Sequence, residues 1–183
     1  DEKSAGPGQG YLTPITDYLA TDFNYQLDGN NPAKINGQYQ VSAAVTGYLL
    51  TESHGQRKKL MVWEKVTPLF APTSFTSDNG KADISEKIPV RLQEFVAFAN
   101  KVQDEYRAAV DTVELTVTYD VTIEIETPEA QGNDYISSVL IIPIKGNSFT
   151  VDGLLTNNKQ GSIMTTEVVS TPGLKNARIA YSL

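Results

Sequence analysis

The chain contains no cysteine. Disulfides, thiolate metal sites and cysteine nucleophiles are therefore excluded. Histidine is almost as scarce, with His54 alone in 183 residues. A Ser-His-Asp triad or a histidine-ligated metal would have to use it. It sits in a polar turn, Glu52-Ser53-His54-Gly55, and no Gly-x-Ser-x-Gly elbow accompanies it, so it reads as a solvated turn residue. Gly-rich phosphate loops of the GxxxxGK[ST] or GxGxxG type are missing. So is any apolar run of about 18 residues, which argues against a membrane span. No Asn-x-Ser/Thr acceptor occurs, and N-glycosylation is not expected. Cations are in deficit: 15 Lys and Arg against 22 Asp and Glu give a net charge of −7. That balance argues against nucleic acid, whose recognition needs clustered Lys and Arg. The one dense basic run, Arg57-Lys58-Lys59, reads as a solvated hairpin end.

What is there is β pattern. Glu114 to Glu126 (ELTVTYDVTIEIE) alternates strictly. Leu115, Val117, Tyr119, Val121, Ile123 and Ile125 occupy one face, and Glu, Thr and Asp occupy the other. This is a strand with one buried and one wet side. Thirteen residues at about 3.4 Å each span roughly 44 Å, and a strand that long needs partners along its length. It is expected at the centre of a sheet.

A second long strand runs from Tyr39 to Glu52, with Tyr39, Val41, Ala43, Val45 and Leu49 facing inward. Gly47 interrupts that row and marks a bulge or a close backbone approach. Lys58 to Val66 returns as the partner of an antiparallel hairpin, and Trp63 with Met61, which could form an exposed aromatic patch, is placed instead in the core beneath a helix. Pro68 to Thr73 reads as a loop. Phe23 to Leu27 and Ile84 to Leu92 read as shorter strands, Pro89 putting the latter at an edge. Then the period changes. Leu92, Phe95, Val96, Ala99, Val102, Tyr106 and Ala109 recur at spacings of three and four, which predicts an amphipathic helix over about 92–109. Lys101 and Glu105 form an i,i+4 pair on its wet side. After the central strand, Tyr135 to Ile144 returns, with Val139-Leu140-Ile141-Ile142 apolar on both faces as in a strand buried on both sides. Further strands are expected at Phe149–Leu155, Ile163–Val169 and Ala177–Leu183. Ser74-Phe75-Thr76 recurs as Ser148-Phe149-Thr150, 74 residues on, a weak sign of duplication.

The fold class that follows is mainly β: an antiparallel β-sandwich (jelly-roll or Ig-like) with one inserted amphipathic helix at about 92–109. Residues 1–10 are Gly-, Pro- and charge-rich and read as a flexible arm, and 11–183 as a single sandwich domain. The start, DEKSAGPGQG, lacks a signal-peptide pattern and resembles a mature or trimmed terminus.

Candidate sites are few. Asp120, Glu124 and Glu126 share a strand face at spacings near 7 Å, within reach of paired catalytic carboxylates, but that is also how any wet strand face looks. Asp28-Gly29-Asn30-Asn31 and Asp78-Asn79-Gly80 resemble fragments of calcium loops without completing one, and turn chemistry accounts for them. No catalytic, cofactor or metal residue is assigned. Calcium stays open as the one possible cofactor.

The order of parts resembles an uncharacterised family of bacterial and archaeal extracytoplasmic proteins, associated with the SipW-type signal peptidase. The resemblance covers about 35–170. It rests on Ile35-Asn36-Gly37-Gln38-Tyr39-Gln40-Val41, on Trp63-Glu64-Lys65 before a Leu/Phe loop, on Ser74-Phe75, and on Ile88-Pro89-Val90-Arg91-Leu92 running into a helix and then a long alternating strand. It implies a domain outside the membrane, membrane-tethered at the cell surface or secreted, and no enzymatic activity. Flanking membrane segments typical of the family do not occur in this chain. Two functions follow as expectations. One is a non-enzymatic extracytoplasmic interaction module with a protein partner. The other is a structural subunit of an extracellular filament or matrix, similar in style to camelysin/TasA-like fibre proteins. Its N-terminal arm, with Tyr11-Leu12 and Ile15, would add as a strand to a neighbour. A third, a glycosidase using Glu124 and Glu126, is the least favoured.

Overall fold

A computed structural model describes residues 10–29, 32–53, 55–128 and 130–153. The long alternating segment forms β6 (Thr112–Glu126), paired antiparallel to β3 (Lys34–Ser53) on one side and β7 (Gln131–Pro143) on the other. It is central, as its length requires. β4 (Gln56–Ser77) joins the far side of β3, completing a four-stranded sheet of order β4-β3-β6-β7. A second, two-stranded sheet pairs β2 (Leu19–Asp28) with β5 (Lys81–Val90). A third pairs β1 (Gly10–Leu12) with β8 (Ser148–Thr150). Among the described residues the chain is mainly β, built of antiparallel sheets with one helix, α1 (Leu92–Tyr106).

Period-two alternation dictates which face is dry. Val113, Leu115, Val117, Tyr119, Val121 and Ile123 of β6 are buried, and across the register so are Val45, Ala43, Val41 and Tyr39 of β3. Burying each of these aliphatic side chains contributes about 1.5–3 kcal/mol. One end of this face is covered by the β2–β5 pair. Phe23 stacks on Tyr119 at 5.6 Å between ring centroids and lies 6.0 Å from Tyr39, and the Tyr39 hydroxyl donates to Glu86 Oε1 at 2.8 Å. Toward the other end lies α1, which buries Leu92, Phe95 and Ala99 and sets Phe98 edge-on against Trp63. The two sheets and the helix contribute to one hydrophobic cluster.

Several boundaries differ from the sequence expectation. The helix stops at Tyr106 rather than 109, because Arg107 takes a left-handed conformation (φ 50°) and Val110 then drops into the core. Residues 68–73 are not a loop but part of β4, which stays paired to β3 through register shifts near Val41. Their prolines, Pro68 and Pro72, are tolerated because β4 is an edge strand. In β7, Leu140 and Ile142 are buried while Val139 and Ile141 are only half-buried, since β7 is the opposite outer strand of the sheet rather than one enclosed on both sides. Of the strand expected over Phe149–Leu155, the described part forms β8 and a bridge from Asp152 to Ile141, and 154–155 lie outside the described residues. The expected strands at 163–169 and 177–183 lie outside the described residues. The two Ser-Phe-Thr copies occupy unlike places: Phe75 lies over Gly37 on β3, and Phe149 stacks on Tyr11 at 5.4 Å.

Candidate functional site

The β3–β4 hairpin is longer than the sheet that holds it. β6 begins at Thr112, opposite Tyr48, so β3 beyond that point has only β4 for a partner. Asp111 closes the junction: its N–H donates to the Tyr48 carbonyl at 2.8 Å, and its Oδ2 accepts from the Leu50 N–H at 2.6 Å. Past this clamp, Tyr48–Ser53 and Gln56–Val62 form a projecting two-stranded ribbon.

The ribbon is apolar where it leaves the body. Leu49 pairs with Leu60, and Tyr48 with Met61. Leu60 is 56% exposed and Met61 58%, and Leu50 and Val62 are exposed as well. Leu49, expected in the core, lies at the surface because, among the described residues, no third strand or helix reaches it. Trp63 and Met61, expected together, are separated by a register shift between Gly47 and Tyr48. Trp63 stays opposite Gly47 and packs against the core, while Met61 moves beside Tyr48 into solvent. The signal for this surface was in the sequence: Tyr48-Leu49-Leu50 and Leu60-Met61-Val62 are apolar on both parities within an otherwise polar hairpin. A single buried face does not need that.

Three cations crown the ribbon. Lys59 folds back to Glu114, with its ammonium 5.6 Å from the centre of the Tyr48 ring. Arg57 and Lys58 are exposed and form no ion pair among the described residues. The basic run is a hairpin end, as expected, and it borders an apolar strip.

At the opposite end of the sheet, the structure brings together the two turns that resembled calcium-loop fragments. The Gly29 N–H donates to the Gly80 carbonyl at 2.9 Å, and Lys81 pairs with Asp28 at 2.9 Å. Asn79 Oδ1 accepts from the Ser77 hydroxyl and from the Lys81 N–H, an Asx arrangement that braces the turn. Asn30 and Asn31 lie outside the described residues. Beside these turns is an open cleft of about 350 Å³, with Phe75, Ala82 and Ile84 in its lining and Asp78 and Asp83 among its polar residues.

The remaining candidates are dispersed. Asp120 accepts from the Tyr135 hydroxyl, and that hydrogen bond is the main cause of the raised Tyr135 pKa. Glu126 accepts from Gln131 at 3.4 Å, and Glu124 stands between Asn36 and Asn133 in the register. Each is opposite a different neighbour, as on a wet strand face. His54 lies outside the described residues. No helix among the described residues is long and apolar enough to cross a membrane.

By the topology of its described residues the chain belongs with antiparallel, mainly β proteins, here with one α-helix. A family model described as a family of unknown function (DUF5305) matches residues 63–183, and the chain belongs to that family. The match opens at Trp63, so the Ile35–Val41 segment precedes it. Among curated proteins and among solved structures, none matches.

Proposed function

We propose that this chain is a non-enzymatic, extracytoplasmic interaction module, tethered at the cell surface, whose two main sheets form a β-sandwich around the shared aromatic core. The observation that carries the reading is the ribbon. An apolar strip on a projecting hairpin, left uncovered by the described residues and bordered by Arg57 and Lys58, which form no ion pair among them, is costly in water unless something covers it. The resemblance to proteins associated with the SipW-type signal peptidase supports the location and the tether. A photocrosslinker at Leu60 should label a macromolecular partner in the intact cell envelope, and one at Thr122 should not. Equal labelling from both positions would refute the surface.

A filament subunit assembling by strand donation is the second reading, and β1 supports it. Gly10–Leu12 is paired with β8 at three register positions and stacks Tyr11 on Phe149. Donation would exchange that pairing for an identical one in a neighbour, as in domain swapping. Deleting residues 1–12 should then abolish polymers while circular dichroism stays native. Polymers that survive the deletion rule it out.

A further inference from the structure

We infer that the partner of the ribbon is a second copy of this chain, seated head to tail: the cationic, apolar ribbon of one copy docks in the acid-rimmed cleft beside β4 and β5 of the next. The inference rests on the proposed interaction surface and names its occupant.

Three features of the molecule match. The first is charge. The ribbon carries Arg57 and Lys58, with Lys59 paired to Glu114, against a single carboxylate of its own, Glu52, in a chain whose net charge is −7. The cleft carries Asp78 and Asp83, and its one cation, Lys81, is already paired with Asp28. The second is apolar chemistry. Leu60 and Met61 project from the ribbon, while Phe75, Ala82 and Ile84 contribute to the cleft, whose volume of about 350 Å³ accommodates side chains of that size. The third is position. Phe75 is opposite Gly37, near the start of β3, whereas the ribbon tip follows Ser53 at its end. Sixteen residues of extended chain separate them, about 50 Å. No copy can bring its own ribbon to its own cleft along a rigid sheet of that length. A neighbour's ribbon meets no such limit. Because two different surfaces meet, the contact is heterologous, and unless its rotation closes a ring it propagates as a filament. This assembly requires no strand donation from the N-terminus.

Sedimentation of the full chain tests it. The wild type should show an average mass that rises with concentration above 20.0 kDa and falls back as salt is added. The double variant Arg57→Glu/Lys58→Glu should associate about tenfold more weakly or not at all, because like charges now face each other, and Asp78→Lys/Asp83→Lys should behave the same. An equimolar mixture of the two variants should regain association that neither shows alone, since the first variant's reversed ribbon complements the second's reversed cleft and the second's native ribbon meets the first's native cleft. These substitutions are at the surface, so circular dichroism should match the wild type. A wild type that stays at 20.0 kDa at every concentration overturns the inference, as does a mixture that fails to recover. Crosslinking from Leu60 separates the two levels of the argument. A crosslink to Phe75 or Ile84 of another copy supports self-association. A crosslink to a different protein overturns self-association and leaves the interaction surface standing. No crosslink from a monomeric chain overturns both.

Discussion

Replacing Gly47 by alanine tests how β3, β4 and α1 are locked together. A Cβ at Gly47 would lie 2.4 Å from Trp63 Cε2 and 2.5 Å from Nε1, far inside any real carbon contact. The indole must retreat by about 1 Å to reach ordinary van der Waals distance, near 3.5 Å. It is not free to do so at no cost. Its edge rests against Phe98 at 6.0 Å between centroids and 79° between planes, and the Lys65 ammonium lies over the other partner's ring at 4.3 Å. Overfilling a packed site costs about 1–3 kcal/mol. Losing the aromatic contact adds about 0.5–1.5 kcal/mol. Alanine recovers about 0.5–1 kcal/mol over glycine in an extended strand through backbone entropy. The net expectation is a loss of about 0.5–4 kcal/mol, and a chain of this length loses about 2–4 °C of Tm per kcal/mol. Trp63 is the only tryptophan, so its emission reports on this one position. Urea unfolding should show a lowered midpoint, and native emission should shift to the red as the indole gains water. A Gly47→Ala chain that is as stable as the wild type with unchanged emission would mean that Trp63 does not rest on Gly47.

Val121 is buried and Thr122 exposed on the same strand, so Val121→Asp should cost several kcal/mol and prevent folding, while Thr122→Asp should leave the melting curve in place; identical behaviour would refute the face assignment. Arg107 adopts φ 50° at the end of α1, and Arg107→Gly should raise stability by about 0.5–1 kcal/mol in chemical denaturation, with a fall arguing that the arginine side chain is itself needed there. Burial holds the Tyr39 pKa above 10.0, with the hydrogen bond to Glu86 adding to it, and burial likewise raises Tyr119 and Tyr25. The folded state therefore keeps these phenolic protons longer than the unfolded state does. Their contribution is complete below about pH 10 and is lost as pH rises through the folded-state values. Alkaline titration followed by circular dichroism should show that loss, and Tyr39→Phe should be less stable by about 1 kcal/mol at neutral pH yet show a shallower alkaline decline.

The central strand was legible because its signal is local: alternation over Glu114–Glu126 requires one dry face, whatever covers it. The helix start at Leu92 and the special role of Gly47 were readable for the same reason. The helix end was not, since nothing in Arg107 as a residue type announces a left-handed turn. Pro68 and Pro72 pointed to a loop because proline removes a ladder donor; they are admitted to β4 only because it lies at an edge, which is a property of the whole sheet.

By itself, then, the sequence determined the class of structure and its dry faces, because alternation and helical spacing act on each segment through its own backbone geometry. It also determined the absence of thiol chemistry and the acidic balance. Tertiary structure alone decided where β6 stops along the β3–β4 hairpin. That endpoint separates Val45, which is buried, from Leu49 and Leu60, which have the same chemistry but, among the described residues, no third strand to cover them. Burial depends on which segments meet in space, and the candidate surface arises where none does.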